Sequence, residues 1–392
     1  MEVCFCAHRL PYPPIAGGRI ETYEMIAGLV DRGHSVTLVT YGSDEEAAAE
    51  MEATSGCTVR LVPGVPDRTL GNLTRNLVSR DPLPVMKART PEYTETVRRA
   101  AQDADVVHLH ALQPSYLARE LPDPTPTVIR FNNVKYEIYR QFAKYTDNPG
   151  KAAYAYLQFL KTRRYEAKIA DQATVSLTIS PEDRDRLREV GSEGTIRVVP
   201  PGVDLERFAP DGTDEPGDTI TFFGSMDYHP NEDAVRWFGR EIFPEISRRY
   251  PEATFEIVGK NPSDRIERLG EQRGITVTGF VEDIREYIRR ATVIVIPIRV
   301  GTGVRIKVLH AMAMGKPTVT TTVGKQGIGF EDGIHGLVAD TASAFVDAVS
   351  ELIADPEARE QYGAQARALM EREHDWATIT ERLEAEYRRI LR

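Results

Sequence analysis

The sequence predicts an α/β protein built from two doubly wound parallel sheets, and three observations carry that expectation. Short β-prone apolar runs alternate with helical patterns along most of the 392 residues, the order that βαβ units produce. The runs are near-continuously apolar, as strands covered on both faces are. The pattern restarts once, after a break at 209–218 (APDGTDEPGD) that holds two prolines, two glycines and four acids. At roughly 100–200 residues per domain, the length suits two or three domains.

The first strand is expected at 3–7, followed by a turn-rich loop over 11–18 and a helical pattern over 21–32. Gly33 stops that helix, and 35–40 (SVTLVT) is the next strand, which completes a βαβ unit. Further strands are expected at 59–62, 106–110, 127–130, 175–179 and 197–199. After the break come a strand at 219–223, a helix over 233–249, and strands at 254–258 and 276–278. A helix over 283–290, a strand at 293–297, a helix over 304–314, a strand at 318–321 and a helix over 342–354 follow. The last helix, about 376–392, is amphipathic and is expected to pack back on the first domain. The expected domains are therefore 1–209 and 210–375. Two such domains joined once place a cleft between the carboxyl ends of their sheets, where ligands bind.

Composition narrows the function classes. Lys+Arg is 49 against 59 for Asp+Glu, a net charge of -10. Such a chain is a poor general polyanion binder, which argues against nucleic acid as partner. No apolar run reaches the roughly 18 residues of a membrane span. The opening MEVCFCAHRL has an acid at position 2 and no long apolar stretch, unlike a secretory leader. The three cysteines form no C-x-x-C pair, so neither a metal nor a disulfide framework is indicated. A cytoplasmic protein without metal or cofactor is expected.

Three places carry chemistry. Gly17 and Gly18 lie between the first strand and the first helix, where amides and a helix N-terminus favour an anion. A plain turn competes with that reading. The dinucleotide fingerprint G-x-G-x-x-G is missing there, which makes a nicotinamide dehydrogenase the least favoured class. His110 closes the strand DVVHLH and faces the cleft, placed to accept a proton or to hydrogen-bond a sugar hydroxyl. A structural histidine is the alternative. The segment 297–317 (PIRVGTGVRIKVLHAMAMGKP) is the most informative: a strand end, a Gly-x-Gly loop, then a helix with Arg305 and Lys307 near its start. Amides, a helix N-terminus and two cations suit a pyrophosphate. His310, three residues after Lys307, shares its helix face.

With those residues in view, the chain resembles the retaining GT-B glycosyltransferases of family 4 along nearly its whole length. The resemblance rests on P-x-x-x-G-G from Pro13 to Gly18, on GHSVTLVT and D-V-V-H-L-H, and on P-G-V-D-x-x-x-F from Pro201 to Phe208. It rests also on G-S-M-D-Y-H-P-N from Gly224 to Asn231, on V-T-G-F-V-x-D from Val277 to Asp283, and on G-T-G-V-R-I-K-V-L-H-A-M-A, the most specific. The resemblance implies two Rossmann-like domains facing each other across a cleft, with acceptor on the first and nucleotide-sugar on the second. It implies transfer with retained anomeric configuration and no essential metal. By position, Gly17 and Gly18 would face the donor phosphates, and His110 the transferred sugar. Gly224 and Ser225 would line the donor site, Phe280 and Val281 would lie near the base, and Gly301, Thr302, Gly303 and Val304 would offer amides to sugar or phosphate.

Two departures stand out. The family pattern has glutamates where this chain has Thr302 and His310, the second of which usually holds ribose hydroxyls. A neutral imidazole donates one hydrogen bond and accepts one, so ribose can still be met. The family also places Arg and Lys in the loop that here reads GSMDYHPN, so Arg305 and Lys307 are the replacements to neutralise the leaving diphosphate. That variant resembles a subgroup associated with polysaccharide or surface-glycan assembly.

Between Lys135 and Lys168 stand eight basic residues, three acids and eight aromatics. Basic aromatic helices suit an anionic membrane surface, where a lipid-linked acceptor would be presented, and peripheral contact at the inner face is one expectation. The competing reading makes half the aromatics core, with Tyr165 and Glu166 matching a pair common in the family. The leading expectation is a hexosyl-type transferase in which His110, Arg305 and Lys307 act at the reaction centre. A nucleotide-sugar epimerase and a non-catalytic GT-B subunit that binds a glycan or a partner are the alternatives.

Overall fold

The computed structural model describes residues 1–14, 17–64, 69–122, 124–146, 148–210 and 217–392. The chain forms two compact units, Met1–Pro201 with Trp376–Arg392, and Gly202–Asp375. It passes between them twice, at Pro201/Gly202 and at Asp375/Trp376, rather than once at the acidic break. That break lies inside the second unit, and its residues 211–216 lie outside the described residues. Where the chain enters and leaves the second unit, Val203 N–H donates to His374 O at 2.8 Å, pairing the two crossings.

The first unit holds seven strands: β1 Glu2–Ala7, β2 Ser35–Tyr41, β3 Thr58–Val62, β4 Val106–His110, β5 Thr127–Phe131, β6 Val175–Thr178 and β7 Ile196–Val198. They pair in the order β3-β2-β1-β4-β5-β6-β7, and every pairing is parallel. Side chains on a strand alternate faces, and the two cores follow that alternation. Val3, Phe5 and Ala7 enter one cluster, with Leu38, Met25 and Leu29. Cys4 and Cys6 enter the other, with Val39, Leu109 and Ile129. Helix Trp376–Ile390 adds Ile379, Leu383 and Tyr387 to the first cluster, each wholly buried. Their fourfold spacing is a single helix stripe. Polar contacts fix its register. Tyr387 Oη lies 2.6 Å from His108 Nδ1, and Glu384 accepts from Arg32 Nε at 2.7 Å and meets His34 Nε2 at 3.0 Å.

The second unit holds β8 Thr219–Phe223, β9 Thr254–Val258, β10 Ile275–Gly279, β11 Val293–Ile296, β12 Thr318–Thr320 and β13 Leu337–Val338. Their order is β10-β9-β8-β11-β12-β13, again parallel throughout. Both sheets thus carry Rossmann-type order. Two expected helices change. The one over 233–249 is helical from His229 to Trp237, makes a π turn over Phe238–Ile242, and resumes at Phe243–Arg249. Pro244 explains the interruption: it has no N–H, and its ring would clash with the carbonyl four residues back. The helix expected at 304–314 spans Ile306–Ala313, with Arg305 as its cap residue. Among the described residues, no helix is long and apolar enough to cross a membrane.

Candidate functional site

Each sheet has a point where successive connections leave in opposite directions, and the sequence-predicted residues flank both points. In the second unit β8 and β11 are neighbours, with β9 beyond one and β12 beyond the other. A crevice opens at the carboxyl ends of such a pair. The loop after β8 begins at Gly224, and the loop after β11 contains residues 301–304.

Gly224 has φ 152°, and a Cβ built there would stand 2.5 Å from Lys307 Nζ and 2.9 Å from Asn231 Nδ2. The bare backbone makes room for the amine. Lys307 Nζ donates to Asn231 Oδ1 at 2.8 Å, and Asn231 Nδ2 donates to Ser225 O at 2.7 Å. The Phe222 ring centroid lies 4.1 Å from the ammonium. An amide oxygen and a ring face orient a cation without neutralising it. Burial, and then the Arg305 guanidinium, push the Lys307 ammonium well below the usual lysine range. A bound anion reverses that penalty, because it favours the charged form.

The loop after β11 supplies donors of another kind. Gly301 and Gly303 hold φ 118° and 79°, which a side chain would resist. Among the described residues, the amides of Gly301, Thr302, Gly303 and Val304 meet no intrachain acceptor, and the buried Thr302 Oγ1 has no partner. Loop amides beside a helix start make an anion nest. Helix Ile306–Ala313 adds its own N-terminus, where no side chain caps the first amides. Arg305 is also engaged with its own loop. It is buried, and its Nη1 donates to Thr302 O and, at 2.8 Å, to Gly303 O. Its guanidinium holds the loop in shape and lends charge beside Lys307.

Other expected residues are placed as follows. Ser225 Oγ donates to Asp227 Oδ1 at 2.5 Å, and that bond holds the Asp227 carboxyl below its ordinary range. The Ser225 hydroxyl is thereby engaged inside its own loop. His310 stacks on Phe208, centroids 3.9 Å apart. Burial, with Arg207 nearby, pushes its imidazole down to about 3, so the ring is neutral. Phe280 follows β10 and is 73% exposed, a flat apolar face in solvent, while Val281 is half-buried against the core. Gly259, which sequence reasoning passed over, follows β9 so close to Gly224 that a Cβ would overlap its carbonyl oxygen. Asn231 was legible as part of a motif, though its role as the lysine's partner was not.

The first unit repeats the arrangement at β1 and β4. Gly17 and Gly18 are the first residues of helix Gly17–Asp31 rather than of a loop before it, and Ile15 and Ala16 lie outside the described residues. His110 ends β4 and is 4% exposed. Its Nε2 lies 3.0 Å from Asn132 Nδ2, which also donates to Glu21 Oε2 at 3.0 Å. A carboxylate only accepts, so the amide nitrogen is the atom facing both groups, and His110 Nε2 must be an acceptor. The proton therefore sits on Nδ1, a buried atom with no partner among the described residues. Burial pushes this imidazole down to about 4. Ala111, the next residue, holds φ 73°, the kind of backbone strain that marks functional strand ends. Beneath the histidine, the wholly buried Arg130 meets Glu21 Oε1 at 2.6 Å and donates to Val199 O at 3.0 Å. An arginine inside the apolar run TVIRF was the sequence signal for this network.

Residues 16–207 match the family model described as Glycosyltransferase Family 4, and residues 217–355 match that described as Glycosyl transferases group 1. A GDP-mannose-dependent alpha-(1-6)-phosphatidylinositol monomannoside mannosyltransferase of Mycolicibacterium smegmatis is 28% identical over 239 residues, 55% of this chain and 62% of that protein. The match thus spans less than two thirds of that relative. A D-inositol 3-phosphate glycosyltransferase of Kribbella flavida is 26% identical over 390 residues, 90% of this chain and 86% of that one. Among solved structures, sucrose-phosphate synthase from Thermosynechococcus elongatus superposes with a TM-score of 0.74 at 17% identity, covering 100% of this chain and 99% of that one. That last likeness is one of fold.

Proposed function

The chain belongs to the family 4, group 1 glycosyltransferases of GT-B fold, and from that premise we propose that it moves a sugar from a nucleoside diphosphate sugar to a glycan or lipid-linked acceptor. The anomeric configuration is retained and no metal takes part. The observation that carries the reading is Lys307, a cation held by an amide and a ring at the β8–β11 crevice beside four amides that meet no acceptor among the described residues. Departure of a diphosphate leaves negative charge on its bridging oxygen, and fixed donors aimed at that charge lower the barrier. Lys307 supplies the cation, the amides of residues 301–304 supply oriented dipoles, and Arg305 keeps the loop in place. The exposed face of Phe280 suits a nucleotide base, and the half-buried, neutral ring of His310 suits a ribose hydroxyl.

Within the first unit, Gly17 and Gly18 open a helix whose N-terminus suits a phosphate. His110 sits at the strand end where the transferred sugar would lie. Its proton is on Nδ1 and its basicity is suppressed, so orienting the sugar fits it better than taking a proton. Acceptor binding falls to this unit.

Peripheral contact with an anionic membrane, at the cytoplasmic face, belongs to the same proposal. Helix Lys135–Tyr145 exposes Ile138, Phe142 and Tyr145 along one stripe, and helix Pro149–Ala170 exposes Tyr156 and Leu160. Tyr136, Tyr165 and Glu166 of the same segment are buried instead. Glu166 accepts from the amides of Lys135 and Tyr136 at 2.8 and 3.0 Å, tying the two helices together. The segment is therefore part core and part apolar surface with cations around it, the composition of an interfacial helix pair.

The test is transfer by wild type and Lys307→Ala with a panel of sugar nucleotides and a short glycan or lipid-linked acceptor. Loss of transfer with folding intact supports the proposal, and full activity sinks it. Conversion of the donor without any acceptor would point to an epimerase.

A further inference from the structure

We propose that a cavity in the first unit, walled by Arg80, Arg119, Lys161, Arg164 and Lys168, is a phosphate site that seats the headgroup phosphate of an anionic membrane lipid. The assignment rests on the membrane contact proposed above and gives it a specific ligand. The cavity has a volume of about 680 Å³. Among the described residues its lining has one acid, Asp81, which is paired with Arg89 at 3.0 Å and so does not offset the cations. Among the described residues, Arg80, Arg164 and Lys168 have no carboxylate partner. Arg119 lines the cavity, lies over the Tyr165 ring at 5.4 Å and donates from Nε to Gln172. Lys161 Nζ is steered by the carbonyls of Asn76 and Leu77.

Five cations in one cavity of a chain with net charge -10 are a local exception. Like charges so grouped repel one another, and an anion of concentrated charge relieves that repulsion. Phosphate matches guanidinium and ammonium donors with several short charge-assisted bonds. The rim decides the source of the phosphate. Leu160 lines the cavity, and Leu77 and Val78, just before Ser79 and Arg80, are 55% and 87% exposed. A soluble phosphate has no use for an apolar rim. A phospholipid does, because its glycerol and upper chains lie next to its headgroup.

The test is flotation of the full chain with vesicles of equal zeta potential, made anionic either by phosphatidylglycerol or by cholesteryl hemisuccinate, a carboxylate lipid. Diffuse electrostatics treats the two alike, and a phosphate site does not. Wild type is expected to bind the phosphatidylglycerol vesicles about tenfold more tightly, the worth of one good charge-assisted contact. The double variant Arg164→Gln/Lys168→Gln should abolish that preference. The control Lys144→Gln/Lys151→Gln, outside the cavity, should weaken binding to both vesicles and keep the ratio. Equal binding of both vesicles by wild type, or a ratio unchanged in Arg164→Gln/Lys168→Gln, overturns the site while the membrane contact stands. No binding to any vesicle overturns both the contact and the lipid. In that case thermal stabilisation by inorganic phosphate, lost in the double variant, reassigns the cavity to a soluble phosphate, and its absence removes the site altogether.

Discussion

Phe208 and His310 stack face to face, ring centroids 3.9 Å apart and planes within 7°. The pair joins the end of the Pro-Gly-Val-Asp run to the helix that carries Lys307, both within the second unit. It also sets a pH dependence. Burial holds the folded imidazole down to about 3 against an ordinary value near 6.5. Below that ordinary value the unfolded chain takes up a proton that the folded chain refuses. Stability is therefore intact above about pH 6.5 and declines as the pH falls, by about 1.4 kcal/mol per unit for this one residue. His8 and His110 add slopes of the same sign, and Glu166, raised to about 8, adds the opposite one. Replacing His310 with Phe keeps the stack and removes one titration. Urea unfolding of His310→Phe beside wild type should show a shallower acid loss by about one proton; parallel curves would mean the imidazole is protonated in the fold.

Gly224→Ala should act on the lysine from the other side of the crevice. The new methyl would stand 2.5 Å from Lys307 Nζ in a backbone conformation that alanine resists. The expected result is a stability loss of about 1–3 kcal/mol and weaker nucleoside diphosphate binding, read by calorimetry. A variant with unchanged affinity would show that the amine need not sit where it does.

Glu21 balances the buried Arg130 while orienting Asn132 against His110. Removing the carboxylate leaves an uncompensated buried charge, so Glu21→Gln should cost about 3–5 kcal/mol. Replacing both partners, Glu21→Leu with Arg130→Met, should recover a good part of that loss, because the desolvation penalty goes with the pair. A double-mutant cycle on thermal stability checks this, and simple additivity would deny the coupling.

Tyr387→Phe isolates the polar latch of the last helix. It strips His108 Nδ1 of its partner in a wholly buried place, with a cost of about 1–3 kcal/mol. Ending the chain after Asp375 is a harsher change, since Ile379, Leu383 and Tyr387 leave the core together. That product should be insoluble, and recovery of a folded, soluble form would contradict the role given to the helix.

Much of the fold was legible because parallel strands buried on both faces announce themselves as apolar runs. β1, β4, β8 and β11 fall where VCFCA, VVHLH, TITFF and VIVI predict them. The two-residue β13 was not, since so short a strand leaves no period to read. The π turn before Pro244 was missed because apolar spacing continues through it. Lys307 and the Gly-x-Gly loop were readable from three signals in one segment. The turn of Arg305 onto its own loop, the stack on His310, and the proton on His110 Nδ1 are tertiary facts, set by Gly301, Phe208 and Asn132 at long or unremarkable spacings.

The most direct test of the donor site is calorimetric titration of wild type and Lys307→Ala with nucleoside diphosphates and their sugars. One buried charge-assisted contact to a diphosphate is worth about 1.5–3 kcal/mol, so affinity should fall at least about tenfold in the variant, with its melting temperature little changed. Equal affinity in the two proteins would contradict the placement of the diphosphate at the β8–β11 crevice.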